Sequence, residues 1–246
     1  FIFAEVGTGK TAMALYRAQH SGTKKCLVVC PASVRDSEQW EQEVENFKLT
    51  FEDFQVKGLS FLQRAKKQEL QAYADYYVII DEAHKIKNDQ SKQGKGAYEL
   101  CRSTKYGYSL LSGTPMSKWA DAVNYGKITG FVRNKTHFYN LFVITQKYKG
   151  YPDIVGYRDE EALRSWWHSI ALRLRAEECI ELPSRQDISI KIPIKLAKYR
   201  EMRRTSMRDD EVLDSPSKMC WALRQYAEQS AEKINWVVEK VQGLEN

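Results

Sequence analysis

Three short groups of residues in this 246-residue chain have the types and spacing to do chemistry on a phosphate. The first is Ala4-Glu5-Val6-Gly7-Thr8-Gly9-Lys10-Thr11. Two glycines allow a tight backbone path, and a lysine and a hydroxyl follow at once. Such a loop, opening a helix, aims backbone N–H groups at phosphate oxygens where the helix dipole favours an anion. Gly7, Thr8, Gly9, Lys10 and Thr11 are the candidate cradle. Lys10 would reach the terminal phosphates, and the Thr11 hydroxyl would ligate Mg²⁺. The second group, Tyr77-Val78-Ile79-Ile80-Asp81-Glu82-Ala83-His84, is an apolar run ending in two carboxylates. Asp81 suits the metal, through water, and Glu82 suits a base that orients and deprotonates an attacking water. The third, Leu110-Leu111-Ser112-Gly113-Thr114-Pro115, ends an apolar run in small hydroxyl residues able to sense a terminal phosphate. Alone it reads as an ordinary Ser-Gly turn.

These groups need rigid elements behind them. Candidate strands are Phe1–Ala4, Cys26–Cys30, Phe51–Val56, Tyr77–Asp81 and Tyr106–Leu111. Helical patterns lie between them at Thr11–His20, Asp36–Phe47, Leu59–Leu70, Gly96–Arg102 and Trp119–Ile128. Strands alternating with helices predict an α/β fold with a parallel sheet covered on both faces. Cys26 and Cys30 would face one side of the same buried strand.

After Gly130 the pattern changes. Phe131–Pro152 holds four Lys and Arg, six aromatics and no acid. Its aromatics read as the packing of an insertion, with stacking on a nucleic-acid strand as the alternative. Glu160–Arg175 reads as an amphipathic helix whose Trp166 and Trp167 are packing residues. Ile188, Ile190, Ile192 and Ile194 have a strand period, which Pro193 limits to an edge or crossing segment. Ala197–Arg208 is a basic helix; its Arg200, Arg203, Arg204 and Arg208 face reads as solvated, with phosphate contact as the alternative. Asp209–Ser217 is a polar break, and Lys218–Gln229 and Glu232–Leu244 are helical.

Composition sets bounds. A hydrophobic share of 43% and a charged share of 28% describe a chain that folds around a core. No apolar run approaches the ~20 residues that span a bilayer. The start lacks the basic flank and apolar stretch of a secretory signal. The five cysteines fit neither a disulfide framework nor a zinc site and read as reduced thiols. The histidines His20, His137 and His168 stand apart from any ligand cluster. A net charge of +6 permits a nucleic-acid partner. Phe1 is not an initiator Met, and a phosphate loop normally follows a complete strand, so the chain reads as part of a longer product.

With the three groups in this order the chain resembles the superfamily-two helicases, and more narrowly the Swi/Snf-type DNA translocases. The segments that carry the resemblance are Glu5–Thr11, Asp81-Glu82-Ala83-His84-Lys85-Ile86-Lys87-Asn88 and Leu111–Pro115. Lys87-Asn88 and Ser-Gly-Thr-Pro set it apart from the RNA helicases. Leu27–Ala32 with Trp40 and Phe47, Leu182-Pro183, and Leu223-Arg224-Gln225 before Lys233 also sit in family order. The likeness is specific up to Pro115 and loose after Gly130.

The resemblance implies an ATP-driven motor of two RecA-like lobes, of which this chain supplies the first. Residues 1–130 would form the ATP-binding lobe, its start truncated. Residues 131–180 would form a helical insertion, and residues 181–246 the end of the lobe with helices leading to a second lobe. It further implies ATP and Mg²⁺ as cofactors, with Lys10, Asp81 and Glu82 catalytic and Thr11 and Asp81 at the metal. His84 would couple the nucleotide to Ser112, Gly113 and Thr114. Pro31, Ala32 and Ser60 would face a strand of double-stranded DNA. A second RecA-like lobe, in the same polypeptide or a partner chain, would supply an arginine finger, so this chain alone would bind ATP and hydrolyse it slowly. The expected setting is intracellular, cytoplasm or nucleoid, or the host cytoplasm if viral; compact motifs and short loops suit a microbial or phage protein. The other readings are a restriction-type motor subunit and a nucleotide-responsive DNA-binding module without motor activity.

Overall fold

A strand buried on both faces must be apolar throughout. Cys26 to Cys30 and Val78 to Ile80 meet that condition, and each of these side chains is fully buried. They form the centre of the first of two units, Phe1–Pro183 and Ser184–Asn246, in a computed structural model that describes residues 1–5, 7–148, 151–179, 190–208 and 211–242.

In the first unit β1 (Ile2–Ala4), β2 (Lys25–Cys30), β3 (Asp53–Gly58), β4 (Tyr77–Ile80) and β5 (Tyr108–Leu110) alternate with helices. The helices are α1 (Lys10–Gln19), α2 (Ala32–Asp36), α3 (Gln39–Asn46), α4 (Phe61–Arg64), α5 (Lys67–Gln71), α6 (Lys92–Ser103) and α7 (Val123–Thr129). Four strands pair in the order β3-β2-β4-β5, all parallel. β1 continues the layer beyond β5, where Ile2 bridges Leu111 in parallel and the Ser112 amide donates to the Ile2 carbonyl at 3.3 Å.

The side-chain period of two divides β2 between two cores. Leu27 and Val29 pack with Leu62, Leu70, Leu100, Tyr125 and Ile128, from α4 to α7. Cys26, Val28 and Cys30 pack with Leu15 of α1 and Trp40 of α3. The two cysteines therefore share a face, as their spacing implies.

Two expected helices are interrupted. Leu59–Leu70 splits because Ala65 and Lys66 are extended, and the Glu69 carboxylate accepts from the Lys66 amide at 2.6 Å, starting a new helix. Asp36–Phe47 splits at Glu38, which is left-handed with φ 52°. α6 begins earlier than its apolar pattern, at Lys92, because the Ser91 hydroxyl caps it by accepting from the Gly94 amide at 3.0 Å.

The insertion expected to be helical carries a hairpin. α8 (Lys135–Phe142) leads into antiparallel β6 (Val143–Tyr148) and β7 (Tyr151–Tyr157), followed by α9 (Glu160–Ile170). The β-branched residues Val143, Ile144, Thr145, Ile154 and Val155 favour that pairing over a helix. β8 (Leu172–Leu174) then returns to the sheet parallel to β1, with Ile2 opposite Leu172 and Ala4 opposite Leu174, before the short α10 (Ala176–Cys179). The chain thus rejoins the sheet within the 131–180 span. Trp166 stacks on Phe131 at 4.4 Å and Trp167 on Phe3 at 5.0 Å, so both tryptophans are packing residues. Phe131, Phe138 and Phe142 pack likewise.

The second unit contains α11 (Ala197–Thr205), a two-residue pairing of β9 (Met207–Arg208) with β10 (Glu211–Val212), α12 (Pro216–Glu228) and α13 (Ala231–Gln242). Met202, Leu213 and Ala222 form its core. The strand expected through the isoleucines does not form over Ile190–Ile194, because alternation makes a strand only where a neighbour accepts its hydrogen bonds. Ile188 and Leu182-Pro183 lie outside the described residues. Arg200, Arg203 and Arg204 are exposed, and Arg208 lies 5.7 Å over the Trp221 ring. Among the described residues no helix is long and apolar enough to cross a membrane.

Candidate functional site

Parallel strands end on one edge of a sheet, and in open α/β sheets that edge is where ligands sit. Here Glu5, Pro31, Ser60, Asp81 and Ser112 all follow the carboxyl ends of parallel strands. The three groups singled out in the sequence are therefore neighbours in space.

The loop after β1 is shaped for an anion. Gly7 and Gly9 have φ of 83° and 80°, a region that favours glycine. A side chain added at Gly9 would meet nothing within 4 Å. No side chain caps α1, and the first bond of the helix runs from the Met13 amide to the Gly9 carbonyl at 3.1 Å. The amides of Lys10, Thr11 and Ala12 precede it and have no partner within the helix. The Lys10 ammonium donates to the carbonyls of Ala4 and Glu5, each at 2.7 Å, so the lysine rests on its own loop. Burial lowers its pKa, while the charges of Asp81, Glu82 and Glu5 act the other way. The Glu5 carboxylate accepts from the Ala176 amide at 3.0 Å, tying this loop to the segment after β8. Val6 lies outside the described residues.

The acidic turn is stitched to both neighbouring strands. The Asp81 amide donates to Val29 at 2.8 Å, the Ala83 amide to Leu111 at 2.8 Å, and Leu111 returns a bond to Ile80 at 2.9 Å. Burial raises the pKa of the Asp81 carboxyl, opposed by the Glu82 amide it accepts from at 2.9 Å and by Lys10. Glu82 is left-handed, with φ 53°. A non-glycine residue held there is strained by about 1–3 kcal/mol, and such residues cluster at functional sites.

His84 joins the acidic turn to the hydroxyl segment. Its Nδ1 lies 3.0 Å from Glu82 Oε2 and 3.4 Å from Ser112 Oγ. Ser112 is buried, and its Oγ accepts from the Thr114 amide at 3.2 Å. A side chain at Gly113 would sit 3.7 Å from the Ala4 carbonyl, so this turn also lies against the end of β1. One continuous set of contacts thus runs from the carboxylate of Glu82 to Thr114.

Pro31, Ala32 and Ser60 occupy the other end of the edge. Cys30 pairs with Gly58, and the Leu59 amide donates to Cys30 at 2.8 Å. Ala32 and Ser60 are exposed, and Pro31 is half-buried. The Arg35 guanidinium reaches across, 3.0 Å from where a Gly58 side chain would begin. β4 and β5 separate this lip from the loop after β1.

Residues that fit a divalent ion are present. Among the described residues no three His, Cys, Asp or Glu side chains gather as a metal cage. Mg²⁺ needs none, since it is usually held by one or two protein oxygens, waters and substrate phosphates. Thr11, at the open start of α1, and Asp81 carry oxygens of the kind such an ion takes.

Sequence reasoning missed the support behind this edge. Asp121 pairs with Lys87 at 2.9 Å and Lys127 with Asp89 at 3.2 Å. The buried Asn124 amide donates to Ile86 at 2.6 Å and Gly94 at 3.0 Å. Tyr125 donates to Ala83 and Pro115. The only available signal was polar residues inside an apolar helical pattern.

No protein-family model matches the chain, and no curated protein matches it significantly. Among solved structures, the Sulfolobus solfataricus SWI2/SNF2 ATPase core in complex with double-stranded DNA is similar to it, with a TM-score of 0.53 and 24% identity. The match covers 71% of this chain and 39% of that one. What it shows is the fold: a parallel sheet flanked by helices, as in that ATPase core.

Proposed function

We propose that this chain is the first RecA-like lobe of a nucleic-acid-dependent ATPase, a Swi/Snf-like translocase that hydrolyses ATP with Mg²⁺ and acts on double-stranded DNA. The observation that carries this reading is the meeting of three sequence groups on one sheet edge, joined by the contacts from Glu82 through His84 to Ser112. The similar ATPase core, itself bound to double-stranded DNA, supports the choice of partner.

The steps follow from the side chains. ATP phosphates would take up the open amides of Lys10, Thr11 and Ala12, and the Lys10 ammonium would exchange two carbonyls for phosphate oxygens. Thr11 and Asp81 would hold Mg²⁺, which when bound offsets the charge of the phosphates. Glu82 would accept a proton from the water that attacks the γ-phosphate in line. Its second oxygen, Oε1, could take that proton, and where the carboxylate turns towards the water His84 would be left to bond Ser112. Loss of the γ-phosphate would in this way be felt at Ser112–Thr114. Pro31, Ala32 and Ser60 would contact one DNA strand, and a second lobe would supply an arginine to the transition state. An intracellular setting follows from that substrate.

Equilibrium binding of a fluorescent ATP analogue with Mg²⁺ tests the nucleotide half of this reading. Hydrogen bonds to charged groups contribute about 1.5–3 kcal/mol, so Lys10→Ala should weaken binding about 10- to 150-fold. Equal affinity in the variant would remove the loop from the site.

A further inference from the structure

The Tyr125 hydroxyl lies between two backbone carbonyls, Ala83 at 3.0 Å and Pro115 at 3.1 Å. Ala83 sits between Glu82 and His84, and Pro115 follows Thr114. One buried side chain, from outside both segments, therefore touches the acidic turn and the hydroxyl segment at once. A phenol has a single proton, so the two carbonyls share one donor and each draws the hydroxyl towards its own segment.

The ring cannot follow either pull far. Tyr125 is fully buried, with ring centroids of Phe1 at 5.9 Å, Phe3 at 5.8 Å and Trp167 at 5.8 Å. Its helix is fastened on both sides, by Asn124 to Ile86 and Gly94 and by Lys127 to Asp89. The Ala83 peptide is held at both ends, its amide by Leu111 and its carbonyl by Tyr125. Burial also pushes the phenol well above its ordinary pKa, so it stays a neutral donor.

We infer that Tyr125 is a positioning residue: its hydroxyl holds the Asp81–His84 turn and the Ser112–Pro115 segment at the separation that lets His84 reach Glu82 and Ser112 alike. It acts through the backbone of these two segments. This inference rests on the ATP-hydrolysis reading above. Removing the hydroxyl should leave phosphate binding intact and loosen the relay between the two segments.

The test is Tyr125→Phe in the longest natural polypeptide containing this chain, with the wild type and Lys10→Ala alongside. The expected result is unchanged ATP affinity and KM, with nucleic-acid-stimulated kcat lowered about 5- to 30-fold, the scale of one or two lost buried hydrogen bonds. In a Ser112→Ala background the same substitution should lower kcat less than twofold, because the contact it aligns is gone. Wild-type kcat in Tyr125→Phe overturns the inference, and so does an equal loss in both backgrounds. If Tyr125→Phe melts below the assay temperature, 3-fluorotyrosine at position 125, which keeps the ring and changes the donor strength, replaces it; a stimulated rate unmoved by the fluorine overturns the inference. If the wild type shows no hydrolysis that Lys10→Ala abolishes, the nucleotide reading falls and this inference with it. Hydrolysis dependent on Lys10 but indifferent to the Tyr125 hydroxyl overturns the inference alone.

Discussion

The Nδ1 atom of His84 lies 3.0 Å from a carboxylate oxygen of Glu82. The same nitrogen is 3.4 Å from the Ser112 hydroxyl. One imidazole nitrogen serves one good hydrogen bond at a time, so His84 has two partners to choose between. The contact with Glu82 is the shorter. A turn of Glu82 towards an attacking water would leave the imidazole to Ser112.

His84→Ala should therefore separate nucleotide binding from its consequence. ATP affinity is expected to stay within about twofold of wild type, because the loop after β1 is untouched. The ratio of stimulated to basal hydrolysis should fall towards one. A ratio equal to wild type would show that His84 passes no signal.

Glu82→Gln keeps the shape of the side chain and removes its basicity. Hydrolysis should fall about 10²- to 10⁴-fold, the range for a general base, while ATP binding is retained. A single-turnover assay reads both quantities. An unchanged rate would take Glu82 out of the mechanism.

Gly96→Ala tests the packing beneath the site. A side chain at Gly96 would begin 2.0 Å from the Leu62 carbonyl oxygen, a backbone atom of α4. Alanine gains about 1 kcal/mol over glycine in a helix interior, yet such crowding forces backbone shifts that cost about 1–3 kcal/mol. A clash with backbone stands at the upper end of that cost, so the expected outcome is a lower Tm. A higher Tm would mean that α4 and α6 do not approach this closely.

The thiols give a pH dependence with a definite sign. Cys26 and Cys101 are buried, and burial pushes both well above the ordinary thiol range; Cys30 is pushed up to about 12. The unfolded chain loses these protons near pH ~8.5 while the folded chain keeps them. Their contribution to stability is therefore complete below that pH and is lost as pH rises through the folded values. Melting temperatures should drop between pH 8 and 10, and Cys101→Ala should reduce the drop. A thiol reagent at pH 8 should label exposed Cys179 and Cys220 in the native state and leave the three buried thiols unmodified. Native labelling of Cys26 would contradict this packing.

What could be read in advance was what lies close together in the chain. Lys10 follows two glycines at the start of a helix, and Asp81 and Glu82 end an apolar strand. Local spacing alone put these residues at strand ends, and parallel pairing gathered them on one edge. What could not be read depends on partners far apart in sequence. Leu172 pairs with Ile2 across almost the whole first unit, and no periodicity announces such a pairing. The β6–β7 hairpin was hidden because its basic and aromatic residues resemble those of a packed helical insertion. Nothing in the sequence singles out Tyr125, since its role lies in two backbone carbonyls that its own helix does not supply. The strand pattern at Ile190–Ile194 failed for the opposite reason: the period is present, and among the described residues no strand pairs with it.

The most direct test of the central claim is ATP hydrolysis by the longest natural polypeptide containing this chain, without nucleic acid and then with duplex DNA, single-stranded DNA or RNA. Lys10→Ala serves as the blank. The account predicts hydrolysis stimulated mainly by duplex DNA and abolished in the blank. It also predicts that the 246 residues alone turn over slowly, since an arginine finger can raise the rate about 10³- to 10⁵-fold. Measurable ATP binding with no stimulation by any nucleic acid would contradict it.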